Sequence, residues 1–214
     1  MHRRHLLRAG IGCALLAVVV TALVVVRWAP LLAYDGTVAR GLHADAVAHP
    51  AVTSVARVLT DWVWDPWTMR ALAALACLWL WWRGDRRRAL LIAGAAAAAV
   101  LLSQGMKALV GRHRPFWPDP IVSADYAAYP SGHALTAAVV CPLLLWLLPP
   151  SVPKQWRLAA WTLALASVFG VGLTRIFLGV HWLSDVVGGW LLGATLAALA
   201  VTLAEPRNRP KDTR

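Results

Sequence analysis

Charged residues are scarce in this sequence of 214 residues, and acidic residues are the scarcest of them. Only 14% of the residues are charged and 59% are apolar, whereas about a quarter of the residues in a soluble domain are charged. The shortage excludes an ordinary soluble domain and indicates a protein that crosses a membrane several times. The 21 Lys and Arg residues outnumber the 10 acids, but they lie in short clusters between long apolar runs. Membrane topology explains that arrangement, so we expect no nucleic-acid partner.

Cysteine is also rare, and its placement indicates no chemistry. The three cysteines, Cys13, Cys77 and Cys141, all lie inside apolar runs, with no C-x-x-C pair and no partner at ligand spacing. Cysteines in such a setting usually behave as small hydrophobic side chains. We therefore expect all three to be buried.

Six apolar runs approach the length of about 20 residues that a helix needs to cross a bilayer. The first follows a basic amino terminus and resembles a signal peptide, but no small-x-small cleavage site follows it, so we interpret it as a retained helix. The predicted spans are residues 9–26, 66–82, 89–110, 131–148, 156–173 and 181–204. Pro142 is expected to kink the fourth span without ending it. The predicted fold class is all-α, a bundle of six transmembrane helices.

The segments between and beyond the spans differ in character. Residues 31–50 contain Gly and Pro among mixed residues, which indicates a loop with at most a short helix. In residues 52–63 apolar residues recur at helical spacing, which predicts a short amphipathic helix at the membrane interface before the second span. Residues 1–204 are expected to form a single integral membrane domain, and residues 205–214 a disordered cytoplasmic tail.

Three polar clusters interrupt the second half of the chain. They are residues 107–115, 129–133 and 174–185. Polar groups near membrane depth are costly unless they face other helices or a wet cavity. Three cations in the clusters, Lys107, Arg114 and Arg175, would repel one another unless an anion lay among them, and guanidinium groups match phosphate oxygens. The clusters therefore predict one shared phosphate site.

Basic residues predict the orientation of the bundle. Six spans place both termini on one side, which carries thirteen Lys and Arg residues against seven on the other side. By the positive-inside rule the termini are cytoplasmic. All three polar clusters then fall on the extracytoplasmic face of the cell membrane.

The second cluster supplies backbone donors for a phosphate. Ser131 and Gly132 open the fourth predicted span, so the amides around them are first-turn donors without intrahelical acceptors. A helix start of this kind lets backbone N–H groups approach an anion closely, and the helix dipole favours its charge. We therefore expect a phosphate cradle at residues 131–133.

Two histidines complete the pattern. His181 and Asp185 are four residues apart at the start of the sixth predicted span, so they share one helix face. A carboxylate there fixes the tautomer of the imidazole and leaves the other ring nitrogen free as a nucleophile or base. His133 offers a second imidazole, suited to a general acid. The same three residues could instead form a two-histidine, one-carboxylate metal site, but the nearby cations would repel a divalent ion, so we expect neither a metal nor a cofactor.

Together the clusters resemble the signature of the type 2 phosphatidic acid phosphatase superfamily. That signature is Lys, six residues and Arg-Pro; then Pro-Ser-Gly-His; then Ser-Arg, five residues, His, three residues and Asp. The matching segments here are residues 107–115, 130–133 and 174–185. The sequence departs only at Thr174, which stands in place of the serine and keeps a hydroxyl group.

The resemblance implies metal-independent hydrolysis through a phosphohistidine. By it, His181 attacks phosphorus, Asp185 orients His181, and His133 protonates the leaving oxygen. The phosphoryl oxygens would be held by Lys107, Arg114, Ser131, Gly132 and Arg175. Vanadium-dependent haloperoxidases share the signature but resemble soluble helical proteins, so the apolar spans favour the membrane branch.

The predicted function is that of an integral membrane lipid phosphatase whose partners are the bilayer and a lipid phosphate. An extracytoplasmic site favours a polyprenyl diphosphate such as undecaprenyl diphosphate, with phosphatidic acid and phosphatidylglycerophosphate as alternatives. Two other functions stay open at this point. One is a lipid-phosphate binding or transport protein without turnover, and the other is a transferase that moves phosphate or a headgroup to another acceptor.

Overall fold

Helices form all of the regular structure in a computed structural model that describes residues 2–205, with the side chain of His2 excepted. No β-strand occurs among these residues, which confirms the predicted all-α class. The helices are α1 (His2–Val25), α2 (Ala29–Ala48), α3 (Pro50–Val58), α4 (Pro66–Trp82), α5 (Arg86–Val110), α6 (Gly132–Trp146), α7 (Lys154–Phe177) and α8 (Leu183–Ala204). A π-helical turn, Leu59–Val63, continues α3. The predicted tail at 205–214 lies outside the described residues except for Glu205.

Four of these helices are long and apolar enough to cross a membrane, namely α1, α5, α7 and α8. The chain is therefore a membrane protein with several apolar helices. Helix α6 is apolar but has 15 residues, and α4 has 17, both short of the roughly 20 that a span requires. The count of six spans and the single domain over residues 1–204 stay predictions.

Local sequence explains where α4 begins and where α5 ends. The carboxylate of Asp65 caps α4 by accepting hydrogen bonds from the amides of Trp67 at 2.6 Å and Thr68 at 3.4 Å, which satisfies two donors that lack intrahelical acceptors. Helix α5 ends at Gly111, whose φ of 57° lies in the left-handed region that glycine adopts without strain. The chain therefore leaves α5 just before Arg112.

The prediction of a loop for residues 31–50 is wrong, because nearly all of this segment is the helix α2. Glycine and proline in the sequence suggested breaks, but Pro50 begins α3 rather than following a loop. The buried residues of α2 lie along one face, namely Asp35, Gly36, Ala39, His43 and Ala46. Burial of that face against the bundle outweighs a glycine penalty of roughly 1 kcal/mol per residue in a helix interior. Helix α2 packs against α7 and α8.

Residues 52–63 are helical, as predicted, and form α3 with the π-helical turn. The residues that face the bundle are Thr53, Ala56 and Thr60, which are buried. Apolar side chains on other faces stay exposed, among them Val55 and Trp62. The segment therefore presents apolar residues outward, and its position at a membrane interface stays a prediction.

Two further predictions concern particular residues within the spans. Helix α6 continues through Pro142 without ending, as expected. Among the cysteines, Cys141 is buried, whereas Cys13 and Cys77 are only half-buried. The prediction of burial is therefore wrong for two of the three, because α1 and α4 turn much of their surface away from the protein.

Helix α8 occupies the centre of the bundle, in contact with α1, α2, α5, α6 and α7. Its closest approach is to α6 and the residues before it, at three glycines. A methyl carbon placed at Gly188 would lie 2.5 Å from the hydroxyl oxygen of Tyr129, and one at Gly189 would lie 2.7 Å from the backbone oxygen of Ser131. At Gly193 it would lie 2.6 Å from the backbone oxygen of Leu135. These distances leave no room for any side chain, so glycine sets the spacing of the two helices.

Candidate active site

Four helix ends bring the three polar clusters together at one end of the bundle. Lys107 lies in the last turn of α5, Arg175 lies in the last turn of α7, and Asp185 lies in the first turn of α8. Helix α6 begins at Gly132, and the position of a methyl group there is 4.0 Å from the Lys107 ammonium. The backbone amide of Ser131 donates to the backbone oxygen of Asp185 at 2.9 Å. The three polar clusters therefore meet at one end of the bundle, as predicted.

His181 lies between the carboxylate of Asp185 and the guanidinium of Arg114. Its Nδ1 is 3.4 Å from Asp185 Oδ2, and its Nε2 is 3.3 Å from Arg114 Nη1. The first distance is slightly longer than a normal hydrogen bond, and catalytic contacts often shorten only when substrate binds. The two contacts assign the proton to Nδ1, facing the carboxylate, and leave the Nε2 lone pair toward the cations.

The imidazole of His181 is kept neutral by its surroundings. It is 1% exposed, and burial lowers its pKa well below the ordinary value of 6.5, with the positive charges of Arg114, Arg175 and Lys107 acting in the same direction. A neutral ring retains the lone pair that a nucleophile needs. His133 lies within electrostatic reach of His181, Arg175 and Lys107, so both predicted histidines belong to the same site.

Three cations in the site have no acidic partner. The ion pairs among residues 2–205 are Arg88 with Asp85, Arg112 with Asp35 and Asp185, and His181 with Asp185. Lys107, Arg114 and Arg175 are absent from that set. The Nε of Arg175 is buried and donates no hydrogen bond to any atom in the described part of the chain, and Ser131 Oγ is likewise buried without a partner there. Unpaired positive charge beside unsatisfied polar atoms favours an anion as the ligand.

Arg114 is fixed by backbone contacts. Its Nε donates to the carbonyl of Tyr126 at 2.6 Å, and its Nη1 donates to the carbonyl of Val180. Both Arg114 and Lys107 also lie over the ring of Tyr126, at 5.9 and 5.4 Å from its centroid. A polar cavity of about 300 Å³ adjoins Arg114 and is bounded by the loop that follows it. The loop therefore holds the guanidinium beside His181 and leaves space next to it.

The phosphate cradle differs in one respect from the prediction. The amide of Ser131 was expected to be free to bind phosphate, but it donates a hydrogen bond to the backbone oxygen of Asp185. The available donors are therefore the first amides of α6, at Gly132 and His133, with the Ser131 hydroxyl beside them. The bond to Asp185 has a separate effect, since it fixes the start of α6 against the start of α8.

The residue that departs from the resemblance, Thr174, lies on α7 next to the π-helical turn. Its Oγ1 donates to the carbonyl of Val171 at 2.9 Å and lies 3.5 Å from the hydroxyl of Thr60. The hydroxyl group is therefore engaged by the helix backbone. Within residues 2–205 no group of three or more His, Cys, Asp or Glu side chains is arranged to hold a metal ion.

Three residues that sequence reasoning missed surround Asp185. Arg112 Nη1 donates to Asp185 Oδ1 at 2.6 Å and to Ser184 Oγ at 2.7 Å, and its Nη2 donates to Asp35 Oδ2 at 2.7 Å. Arg112 lies in the first polar cluster but has no role in the predicted site, and Asp35 lies in the segment 31–50 that is predicted as a loop. The sequence offers one signal for Asp35. Acids are scarce in this chain, and a carboxylate in a largely apolar protein needs a partner wherever it is buried.

Comparisons with known proteins relate this chain to a family of phosphatases. The family model of the PAP2 superfamily matches residues 88–209, more than half of the chain. Phosphatidylglycerophosphatase B of Bacillus subtilis is 35% identical over 98 residues, which are 45% of this chain and 48% of that protein. Undecaprenyl-diphosphatase of Sulfolobus acidocaldarius is 33% identical over 113 residues, 49% of each chain. The matched segments thus span about half of the length of these relatives.

A third relative and a solved structure extend the comparison. Decaprenylphosphoryl-5-phosphoribose phosphatase of Mycobacterium tuberculosis is 35% identical over 109 residues, 50% of this chain and 55% of that protein. The crystal structure of a transmembrane PAP2-type phosphatidylglycerolphosphate phosphatase from Bacillus subtilis has a TM-score of 0.79 at 22% identity, covering 94% of this chain and 98% of that one. At that identity the likeness shows a shared fold. The resemblance drawn from the three clusters is therefore confirmed, and the chain belongs to the PAP2 superfamily.

Proposed function

We propose that this protein is an integral membrane lipid phosphatase that cleaves a phosphate or diphosphate from a lipid through a phosphohistidine, without a metal ion. The observation that carries the proposal is the position of His181. A neutral, buried imidazole is held by a carboxylate on one nitrogen, while its other nitrogen faces a group of cations that lack an acidic partner in residues 2–205. A nucleophile that adjoins an anion-binding site is the arrangement that phosphoryl transfer requires.

In the first proposed step, Nε2 of His181 attacks phosphorus as the bond from phosphorus to the leaving oxygen breaks. His133, which takes up a proton when the anionic substrate offsets the surrounding cations, gives that proton to the leaving oxygen, so the lipid product leaves as an alcohol or a monophosphate. Asp185 accepts the Nδ1–H of His181 and stabilises the positive charge that develops on the ring. In the second step His133 takes a proton from water, whose oxygen attacks phosphorus and releases inorganic phosphate and the free imidazole.

The cations act on the phosphoryl oxygens. In the transition state, negative charge is spread over these oxygens. Fixed donors around them therefore stabilise the transition state more than the bound substrate, which lowers the barrier. In this proposal Lys107, Arg114 and Arg175 supply the charge, while the Ser131 hydroxyl and the Gly132 amide supply neutral donors. Arg114 contacts both the phosphate and His181, which keeps the nucleophile within reach of phosphorus.

The substrate class follows from the setting of the site. An apolar groove of about 260 Å³ lies between α6, α7 and α8, with Ala138 and Trp190 among its lining residues. Ala138 is five residues along α6 from His133. A lipid whose chain lies in the groove would therefore have its phosphate at the helix ends where the polar clusters meet. A polyprenyl diphosphate is the favoured substrate, supported by the predicted extracytoplasmic face and by relatives named for undecaprenyl and decaprenyl compounds. Phosphatidylglycerophosphate and phosphatidic acid are the alternatives.

The test is phosphate release by purified protein in detergent with EDTA, across a matched panel of polyprenyl and glycerolipid mono- and diphosphates. We expect turnover of at least one lipid, inhibition by vanadate, and an acid-labile phosphoprotein in a rapid quench. His181→Ala should abolish both turnover and labelling, whereas His5→Ala, an exposed histidine on α1, should have no effect.

The other outcomes discriminate the remaining functions. Strict dependence on a divalent metal would refute the mechanism. Retained lipid binding with no turnover in the wild type would indicate the binding or transport protein. Product that appears only when an acceptor lipid is added would indicate the transferase, which shares the same covalent intermediate.

A further inference from the structure

Asp35 is a buried carboxylate far from the three polar clusters in sequence, and its hydrogen bonds all lead to the active site. It is 1% exposed and lies on α2. Its Oδ1 accepts from the amide of Ser184 at 2.9 Å, and its Oδ2 accepts from the hydroxyl of Ser184 at 2.5 Å and from Arg112 Nη2 at 2.7 Å. Ser184 directly precedes Asp185, so Asp35 contacts the helix start that carries the carboxylate of the proposed His181 pair.

Arg112 connects the two carboxylates through a single guanidinium. Its side chain is 11% exposed, with Nη2 on Asp35 and Nη1 on Asp185 Oδ1 at 2.6 Å. Charged hydrogen bonds of this length are among the strongest in proteins, and a planar guanidinium that donates one nitrogen to each of two carboxylates fixes direction as well as charge. Because Nη1 binds Oδ1, the other oxygen of Asp185 is left to the Trp182 amide and to His181. The carboxylate therefore has only one orientation.

Charge balance explains why a second acid is needed. Arg112 lies close to a site that already holds three cations without acidic partners in the described residues. Without Asp35, the guanidinium would lose one of its two carboxylate partners and would no longer be fixed in direction. With Asp35 bound to Nη2, Arg112 is held against Asp185. Removing one partner of a buried pair leaves the other uncompensated, so these contacts are strongly coupled.

We propose that Asp35 is a positioning residue for the phosphoryl-transfer reaction, acting through Arg112 to fix the carboxylate of Asp185 and thereby the ring of His181. This inference rests on the proposed phosphatase function. Asp35 touches neither phosphate nor His181, so its loss should slow the chemical step and leave substrate binding largely intact. Groups that orient a catalytic residue from behind typically change activity about 10- to 100-fold when mutated.

The experiment compares steady-state kinetics of the full-length protein in detergent for Asp35→Asn, Arg112→Gln and the double variant. We expect Asp35→Asn to lower kcat about 10- to 100-fold, with KM and the inhibition constant for vanadate within about threefold of wild type, because the phosphate contacts are untouched. Asp35→Asn should lower kcat less in the Arg112→Gln background than in the wild-type background, because much of its effect passes through that arginine and only the remainder through Ser184. Asp45→Asn, an exposed acid on the same helix, is the matched control and should keep full activity.

Each other result has a defined meaning. Wild-type kcat in Asp35→Asn overturns the positioning role. A fall in kcat of equal size in the wild-type and Arg112→Gln backgrounds, together with a lower melting temperature, shows that Asp35 only anchors α2 and also overturns it. Absence of turnover in the wild-type protein with every lipid phosphate refutes the proposed function itself, and this result is recognisable because it precedes any comparison of variants.

Discussion

The contact between the start of α6 and the second turn of α8 provides a sharp test of how closely the site is built. A methyl carbon at Gly189 would lie 2.7 Å from the backbone oxygen of Ser131 and 3.1 Å from the amide nitrogen of Leu135. Optimal contacts of carbon with heavy atoms are about 3.5 Å, so Gly189→Ala must separate the two helix starts by up to about 0.8 Å. Both obstacles are backbone atoms, which no change of rotamer can move aside.

The separation would act on the hydrogen bond from the Ser131 amide to the Asp185 carbonyl, which is 2.9 Å long. That bond connects the proposed phosphate cradle to Asp185, the residue proposed to orient His181. A misplacement of about 1 Å can lower an enzymatic rate about 100-fold, so we expect kcat of Gly189→Ala to fall roughly 10- to 100-fold. Overpacking also costs about 1–3 kcal/mol of stability, so the melting temperature should fall as well.

The assay is phosphate release with separate determination of kcat and KM, alongside thermal unfolding in the same detergent. Gly94→Ala is the matched control, because Gly94 lies within α5 and nothing is within 4 Å of the added methyl group. Alanine there should keep full activity and stabilise the protein by about 0.5–1 kcal/mol. Wild-type kcat and an unchanged melting temperature in Gly189→Ala would refute the close packing described for the two helices.

Three further predictions follow from the site. Arg175→Lys should lower kcat/KM by at least about tenfold despite keeping the charge, because an ammonium cannot reproduce the planar fork of a guanidinium; equal kinetics would show that Arg175 acts as a point charge. Ser131→Ala should weaken inhibition by vanadate several-fold, by about 1 kcal/mol for one neutral hydrogen bond, and leave the melting temperature unchanged; undiminished inhibition would exclude the hydroxyl as a ligand. Because the pKa of His181 is lowered by burial and by Arg114, the folded protein keeps the ring neutral while the unfolded chain protonates it below about pH 6.5. The free energy of unfolding should therefore fall as the pH drops below that value, by up to about 1.4 kcal/mol per pH unit. In thermal unfolding between pH 7 and 5, the melting temperature of His181→Asn should fall less than that of the wild-type protein.

The meeting of the three polar clusters was predicted from sequence better than the architecture around them. The three clusters were recognisable because polar residues at span ends are rare enough to stand out, and because His181 and Asp185 share a helix face by spacing alone. The spans of α5, α7 and α8 were visible for a related reason, since an apolar run of about 20 residues rarely forms anything but a membrane helix.

The surroundings of Asp185 could not be read from sequence, because the pairs that form it join distant segments. Asp35 and Arg112 are 77 residues apart, and no periodicity connects them. The helix α2 was missed because glycines, judged from the sequence alone, indicate the end of a helix. The helix is stabilised by burial of one face, which only the folded bundle provides. The amide of Ser131 was assigned to phosphate for a similar reason, since its acceptor is the carbonyl of a residue on another helix.

The central place of α8 has a consequence for the order in which the protein is made. Helix α1 packs chiefly against α8, yet more than 150 residues separate the end of one from the start of the other. At about 5–20 residues per second, ribosomes need roughly 8 to 30 s to synthesise that stretch. During this time α1 lacks its main partner, and its largely apolar surface suits the bilayer predicted for it. The helix that packs on α1 also carries Asp185 and follows directly after His181, so the proposed active site is complete only once α8 has been synthesised.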